Sequence, residues 1–324
     1  MKRLIFILFL SFINLGLYAQ TFQFPKKIGS TSIKIEGTQL MIDQGEVSVS
    51  DWLSFIYTNY YNEELNKLNE GFEKMMPDTL LLPEKYRFMM QTFLRLKDME
   101  TSNVDALYSF WGDNSNILFY LPLFILEVKG EVGEKLLRNL KLPIVGITYE
   151  QAQAYLLWRT ELANKDKRIS KTGYKVKARM MKKEEWINFA INLGPHLLEN
   201  QTTHIDSSNT EGCYFLNVKI DKPCANMLEL INIYREGAFP IYSYDPDRLG
   251  LYCIFGNVSE MTEEKGIALG GSYKDYAIDC DALKTTSYSE AQPWLGFRCV
   301  LEFYQNIYFI FFCCFWITTN TAFR

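Results

Sequence analysis

Histidine is nearly absent: His196 and His204 are the only two in 324 residues. Two imidazoles eight positions apart in a loop-like stretch fall short of a three-histidine metal site, and each reads as a solvated loop residue. Cysteine does not occur before residue 213, and none of the seven cysteines (213, 224, 253, 280, 299, 313 and 314) forms a C-x-x-C pair. That disfavours a zinc ribbon or a thioredoxin-type centre. No G-x-S-x-G elbow is present and no cysteine has an evident histidine partner, so the pattern of a nucleophilic triad is missing. Basic charge is not in excess either: 34 Lys and Arg against 38 Asp and Glu leave a net charge of -4 and no footprint for nucleic acid. No apolar run reaches the roughly 20 residues that span a bilayer as a helix.

What is present is ordinary for a globular chain. Hydrophobic residues make up 48% and charged residues 22%, and the length allows one large core or two smaller ones. Twenty Tyr, 23 Phe and six Trp read as packing for a core and its loops. At the start, Lys2-Arg3 precede the apolar run Leu4–Ile13, and Leu17-Tyr18-Ala19 offers a small residue for cleavage. Residues 1–19 therefore read as an export signal, or alternatively as an uncleaved anchor. No cysteine follows the run, so a lipoprotein box is lacking. The expected location is outside the cytoplasm, in the periplasm or at the cell envelope. In that compartment paired cysteines form disulfides, and Cys213 with Cys224 is the candidate local bridge.

Helix signals punctuate the middle of the chain. Ser48–Asp51 caps a helix carrying Trp52, Phe55 and Ile56, and Thr148 with Gln151 forms a capping box for a helix to about Ala163. The charged run 164–171 reads as a hairpin or loop, and Lys182–Ile191 as a helix with Trp186, Phe189 and Ala190 on one face. Residues 62–141 are the least legible. Leu65–Met76 and Tyr86–Met99 have helical spacing, and Ile117–Val128 is apolar but interrupted by Pro122. This region is either a variable insert covering the core or the protein's own partner surface.

Glycine marks the stretch around which the chain is organised, Leu249–Cys299. It runs from GLYCIFGNVSEMT (250–262) to ALGGSY (268–273) and WLGFRC (294–299). Doublets such as Gly270-Gly271 weaken a strand unless another segment packs close against them. Beyond residue 303 follows YQNIYFIFFCCFWITTNTAFR, whose apolar centre Ile307–Ile317 is short of a span. It reads as a marginal tail anchor, a buried terminal strand, or non-native sequence from a frameshift. Membrane contact is expected only if it is an anchor.

The series GNVSE, GGSY and GFRC resembles the C-terminal half of the formylglycine-generating enzyme, or sulfatase-modifying factor, domain family. VKARMMKKEEWINFA (176–190) is similar to its RLPTEAEWEYA element, keeping Arg179, Glu185 and Trp186. PIVGITYEQAQAYLLW (143–158) and QGEVSVSDWLSFI (44–56) resemble its PVxxVSWxDAxAYCxW and YEVTNxxFxxF elements, in the same order. The resemblance implies an α+β fold, irregular and loop-rich with C-type-lectin-like architecture, in one domain over about 30–302. It implies structural roles for Arg179, Glu185, Trp186, Gly270, Gly271 and Arg298.

The family's enzymes oxidise a substrate cysteine with O2 and copper held between two thiolates. Those positions fall here on Asp275 and Cys280, so one thiolate is missing, while Ser272 matches an active-site serine. Soft Cu(I) selects thiolate, and carboxylate is a poor substitute. The segment 281–288 (DALKTTSY) also lacks the arginines of the enzymes. Family calcium sites imply ligands at the Gly256 and Val258 carbonyls and Glu260, weakened because Cys253 stands where an Asn is expected. A second calcium site would begin at Asn217-Val218, with no carboxylate partner identified. Relatives that are iron-dependent sulfoxide synthases need several histidines, which this chain does not supply.

The expectation is an exported, non-catalytic binding or scaffold protein of the bacterial envelope, of the kind found in gliding and secretion machinery, with other envelope proteins as partners; no cofactor is expected, with calcium left open and copper only if the chain is catalytic. A copper-dependent formylglycine-generating oxidase and a carbohydrate-binding lectin-like module are the alternatives.

Overall fold

The computed structural model describes residues 32–62, 67–68, 70–78, 80–82, 140–192, 216–219 and 237–305. Its first sheet joins the early and late parts of the chain. β1 (Ser32–Lys34) hairpins into β2 (Leu40–Asp43), whose four residues are all buried. The last strand of the described chain runs antiparallel between β2 and the strand Tyr174–Arg179.

In chain order, the elements after β2 are α1 (Val49–Tyr60), β3 (Tyr61–Asn62), β4 (Lys67–Leu68) and a 3-10 turn at Phe72–Met75. Next come α2 (Tyr149–Lys165), α3 (Lys167–Ser170), β5 (Tyr174–Arg179) and α4 (Lys183–Asn192). The C-terminal part holds β6 (Ser259–Met261), β7 (Ile267–Leu269), a 3-10 turn at Ala277–Asp279, β8 (Thr286–Ser287), β9 (Leu295–Gly296) and β10 (Val300–Gln305). The first sheet has the order β1-β2-β10-β5 and the second β8-β7-β6-β9, with β6 and β9 parallel. This is an α+β architecture with few helices and short strands. Among the described residues no helix is long and apolar enough to cross a membrane.

Alternation along the strands divides the core in two, because successive side chains of a strand point to opposite faces. Met41, Val176, Leu301 and Phe303 face α1 and α2, while Leu40, Ile42 and Val300 face α4 and the glycine-marked loops. On the helical side the aromatics pack together. Trp52 stacks on Tyr155 at 5.7 Å, and Phe297 meets both rings edge-on. Burying rings of this size supplies much of a domain's apolar stabilisation.

The helix starts follow their caps. Ser48 Oγ accepts from the Asp51 amide, and the Asp51 carboxylate accepts from the Ser48 amide in return. Thr148 and Gln151 form the reciprocal capping box. Three segments differ from their sequence pattern. The run 164–171 contains the one-turn helix α3 rather than a hairpin, because Ile169 is drawn into the core at 0% exposure. Leu65–Met76 is not one helix: β4 pairs with β3, and Gly71, at φ +98°, turns the chain before the 3-10 turn. β10 runs on through Phe303 to Gln305, into the segment read as a tail, because Val176, Lys175 and Tyr174 of β5 pair opposite it. The segments 1–19, 86–99 and 117–128, the tail beyond 305, and Cys213, Cys224, His196 and His204 lie outside the described residues.

Trp52 is fully buried and its indole N–H donates to the Met75 carbonyl at 2.9 Å. Trp52→Ala is expected to destabilise the protein by about 3–5 kcal/mol in urea unfolding. A loss below about 1 kcal/mol would mean that the aromatic cluster closes over the cavity without it.

Candidate functional site

The site positions are set by two glycines that end β7. Gly270 and Gly271 have φ of +92° and +69°, a region open to glycine at no steric cost. A Cβ on Gly270 would lie 2.7 Å from the Ile254 carbonyl, and one on Gly271 would lie 2.5 Å from Cys280 Sγ. The doublet thus lets the chain pass between the 250s loop and Cys280. The following turn, Ser272–Asp275, closes on itself. Asp275 Oδ2 accepts from the Ser272 amide at 2.8 Å and from Ser272 Oγ at 2.7 Å, and the Asp275 amide donates to the Ser272 carbonyl.

Cys280, Ser272 and Asp275 are therefore brought together, with distinct states. Cys280 is fully buried; among the described residues it, the half-buried Cys253 and the buried Cys299 are free thiols. Burial, together with the negative charges of Asp275 and Asp279, pushes the Cys280 thiol up to about 12. At neutral pH it is protonated, and a thiol is a far weaker nucleophile and metal ligand than a thiolate. Asp275 serves as the acceptor that fixes the Ser272 turn. Outside this turn, Tyr276, Ile278 and Leu283 are exposed, and Lys219 lies over the Tyr276 ring at 4.4 Å.

The second set of implied ligands surrounds Arg298. Glu260 is 1% exposed, and both its oxygens are engaged. Oε1 accepts from Arg298 Nε at 2.8 Å, and Oε2 accepts from the Trp186 indole at 3.1 Å. Arg298 and Trp186 are thus joined through Glu260. Gly256 and Val258 lie in the turn leading to β6. Cys253 holds φ +53°, a left-handed conformation that suits Asn better than Cys, and its Sγ faces the Ile241 carbonyl at 3.8 Å. Arg179 makes a two-pronged pair with Glu185 at 2.7 and 2.8 Å and reaches Glu302 of β10 with Nε. That fork-to-carboxylate geometry ties α4 to β5 and β10.

The residues that sequence reasoning misses are Glu46 and Asn257. Asn257, fully buried at φ +58°, donates to Glu46 Oε1 at 2.9 Å and accepts from the Asn217 side chain and the Phe239 amide. Glu46 is 2% exposed, and its Oε2 has no hydrogen-bond partner among the described residues. The available signal is an acidic residue set between Gly45 and Val47 at the start of an apolar-periodic helix. Its partner lies more than 200 positions away, and no local pattern points to it. Among the described residues no three His, Cys, Asp or Glu side chains form a group that would hold a metal ion.

Comparison with known proteins bears on this arrangement. The family model described as Sulfatase-modifying factor enzyme 1-like domain matches residues 12–303. The match opens within the segment read as an export signal. Among solved structures the chain is similar to PvdO from Pseudomonas aeruginosa (18% identity, TM-score 0.35, covering 50% of this chain and 62% of that one). It is similar to CarF (18%, 0.36, covering 51% and 69%) and to Treponema denticola variable protein 1 (12%, 0.43, covering 85% and 92%). The aligned part thus spans less than two thirds of PvdO. No curated protein is significantly similar to the chain. The family's loop-rich, C-type-lectin-like fold is the architecture described above.

Glu46 yields a pH prediction. Burial outweighs the attraction of Arg298, and Glu260 adds repulsion, so its carboxyl is raised to about 8 from 4.5. The native state then holds a proton that the unfolded state releases. The stabilisation from that proton is complete below about pH 4.5 and is lost as pH rises through about 8. Glu46→Gln is expected to flatten this decline, measured as urea stability of both proteins from pH 4.5 to 8.5. Equal slopes in the two proteins would show that Glu46 is ionised in the fold.

Proposed function

The chain belongs to the sulfatase-modifying factor enzyme 1-like domain family, and on that premise we propose that it is an exported, non-catalytic member, a binding or scaffold component of the bacterial cell envelope. One observation carries the reading. Where the family's enzymes use two thiolates, this chain has a single sealed, protonated thiol, Cys280, beside a carboxylate committed to the Ser272 turn. These residues do not fit a copper ion, which selects paired soft thiolates.

Export rests on the Lys2-Arg3 start, the apolar run Leu4–Ile13 and the small residue Ala19. The partner is expected to be another envelope protein, and residues 62–141, where no family element is recognised, are the stretch that would meet it. Retention of Cys280 and Ser272 favours the oxidase as the second reading. A carbohydrate-binding module asks for an open aromatic platform. Among the described residues Tyr242 packs edge-on against Tyr252 at 4.8 Å and Lys219 lies over one face of the Tyr276 ring, which counts against such a platform there.

The deciding experiment is Cu(I) titration of the protein and of Cys280→Ala against a chromophoric competitor, alongside turnover of a peptide carrying C-x-P-x-R. The expected result is the same Cu(I) affinity in both proteins and no oxidation of the peptide cysteine. A tight copper site that Cys280→Ala removes, with peptide turnover, would make the protein an oxidase. Fractionation of cells tests the location, and recovery in the cytoplasm would overturn the envelope role.

A further inference from the structure

Arg298 is 1% exposed and gathers oxygen from three parts of the chain. Glu260 Oε1 of β6 lies 2.8 Å from Nε and 2.7 Å from Nη2. Nη1 donates to the Asp43 carbonyl at the end of β2 and to the Gln44 carbonyl, at 3.0 and 2.5 Å. Nη2 donates to the Tyr252 carbonyl in the glycine-marked loop at 2.7 Å. Of the implied calcium ligands, the Gly256 and Val258 carbonyls and Glu260, the one charged group is Glu260, and a guanidinium already holds it.

We infer that the Gly256–Glu260 turn binds no metal ion: Arg298 is its resident cation, and the Glu260 carboxylate belongs to Arg298 and Trp186. The family resemblance implies a calcium ion at this turn, and the residues present do not fit one. Glu260 has an oxygen on each of its two partners. A divalent ion brought to Glu260 would lie beside a buried positive charge, with little solvent to screen the repulsion. The neighbouring position that should add an oxygen is Cys253, whose sulfur is a soft donor facing a carbonyl. Of the other buried carboxyls close enough to feel Arg298, Asp43 is held by Ser32 and Arg159, and Glu46 accepts from Asn257 through Oε1 while its Oε2 has no hydrogen-bond partner among the described residues. The inference holds whether or not the chain is catalytic.

The test is calorimetric titration with calcium chloride of the chelator-treated full-length protein, Cys253→Asn and Glu260→Gln, with melting temperatures in calcium and in EGTA. Cys253→Asn supplies the missing oxygen at a left-handed position that Asn tolerates. The expected result is that Cys253→Asn gains no calcium binding over wild type, and that neither protein loses any in the Glu260→Gln background. Neither melting temperature should respond to calcium through Glu260, because a ligand that does not bind the native state does not stabilise it. Binding in wild type or in Cys253→Asn that Glu260→Gln abolishes would overturn the inference. Should Glu260→Gln not fold, a gain of calcium binding by Cys253→Asn alone would overturn it.

Discussion

The Arg298–Glu260 ion pair is the interaction on which the two halves of the molecule depend. Arg298 sits between β9 and β10, so its position follows from the pairing of β10 with β2 and β5. From there it binds the end of β2, the loop at Tyr252 and the second sheet through Glu260. A buried charge of this kind is tolerated because its donors and the opposing carboxylate are matched; removing one partner typically costs about 3–5 kcal/mol. Trp186 extends the network into α4, and its ring packs edge-on against Phe255. The loop at Tyr252 and α4 are thereby tied to the strands.

The candidate site stands on this scaffold. The Gly270–Gly271 crossing is possible because neither residue carries a Cβ, so Ile254 and Cys280 approach closer than one would allow. The same closeness seals Cys280 from solvent and keeps it a thiol. Asp275 caps the Ser272 turn through its carboxylate.

Local signals carried much of the fold into the sequence. Ser48–Asp51 and Thr148–Gln151 announce helices because capping is a contact over three residues. Arg179, Glu185 and Trp186 were legible as a structural group by their resemblance to a family element, and their partners bear on why. Arg179 reaches Glu185 nearby, but also Glu302, 123 positions away. The connector 164–171 has the charge pattern of a loop, and the helix α3 within it follows from the burial of Ile169, a tertiary event. Leu65–Met76 has a helical period, and the β3–β4 pairing overrides it.

By itself the sequence determined the family motifs and their order, a net charge without basic excess, the Asp at 275 where the resemblance implies a thiolate, and the places where helices begin. Each of these is a matter of residue identity or of neighbours a few positions apart. Only the tertiary structure decided that Glu260 answers to Arg298, that Glu46 is buried with Asn257, and that Cys280 lies sealed beneath Gly271. Those states depend on burial and on which distant groups share the same enclosed space. Charge and protonation in that space follow from the enclosure, and no local pattern in the chain encodes it.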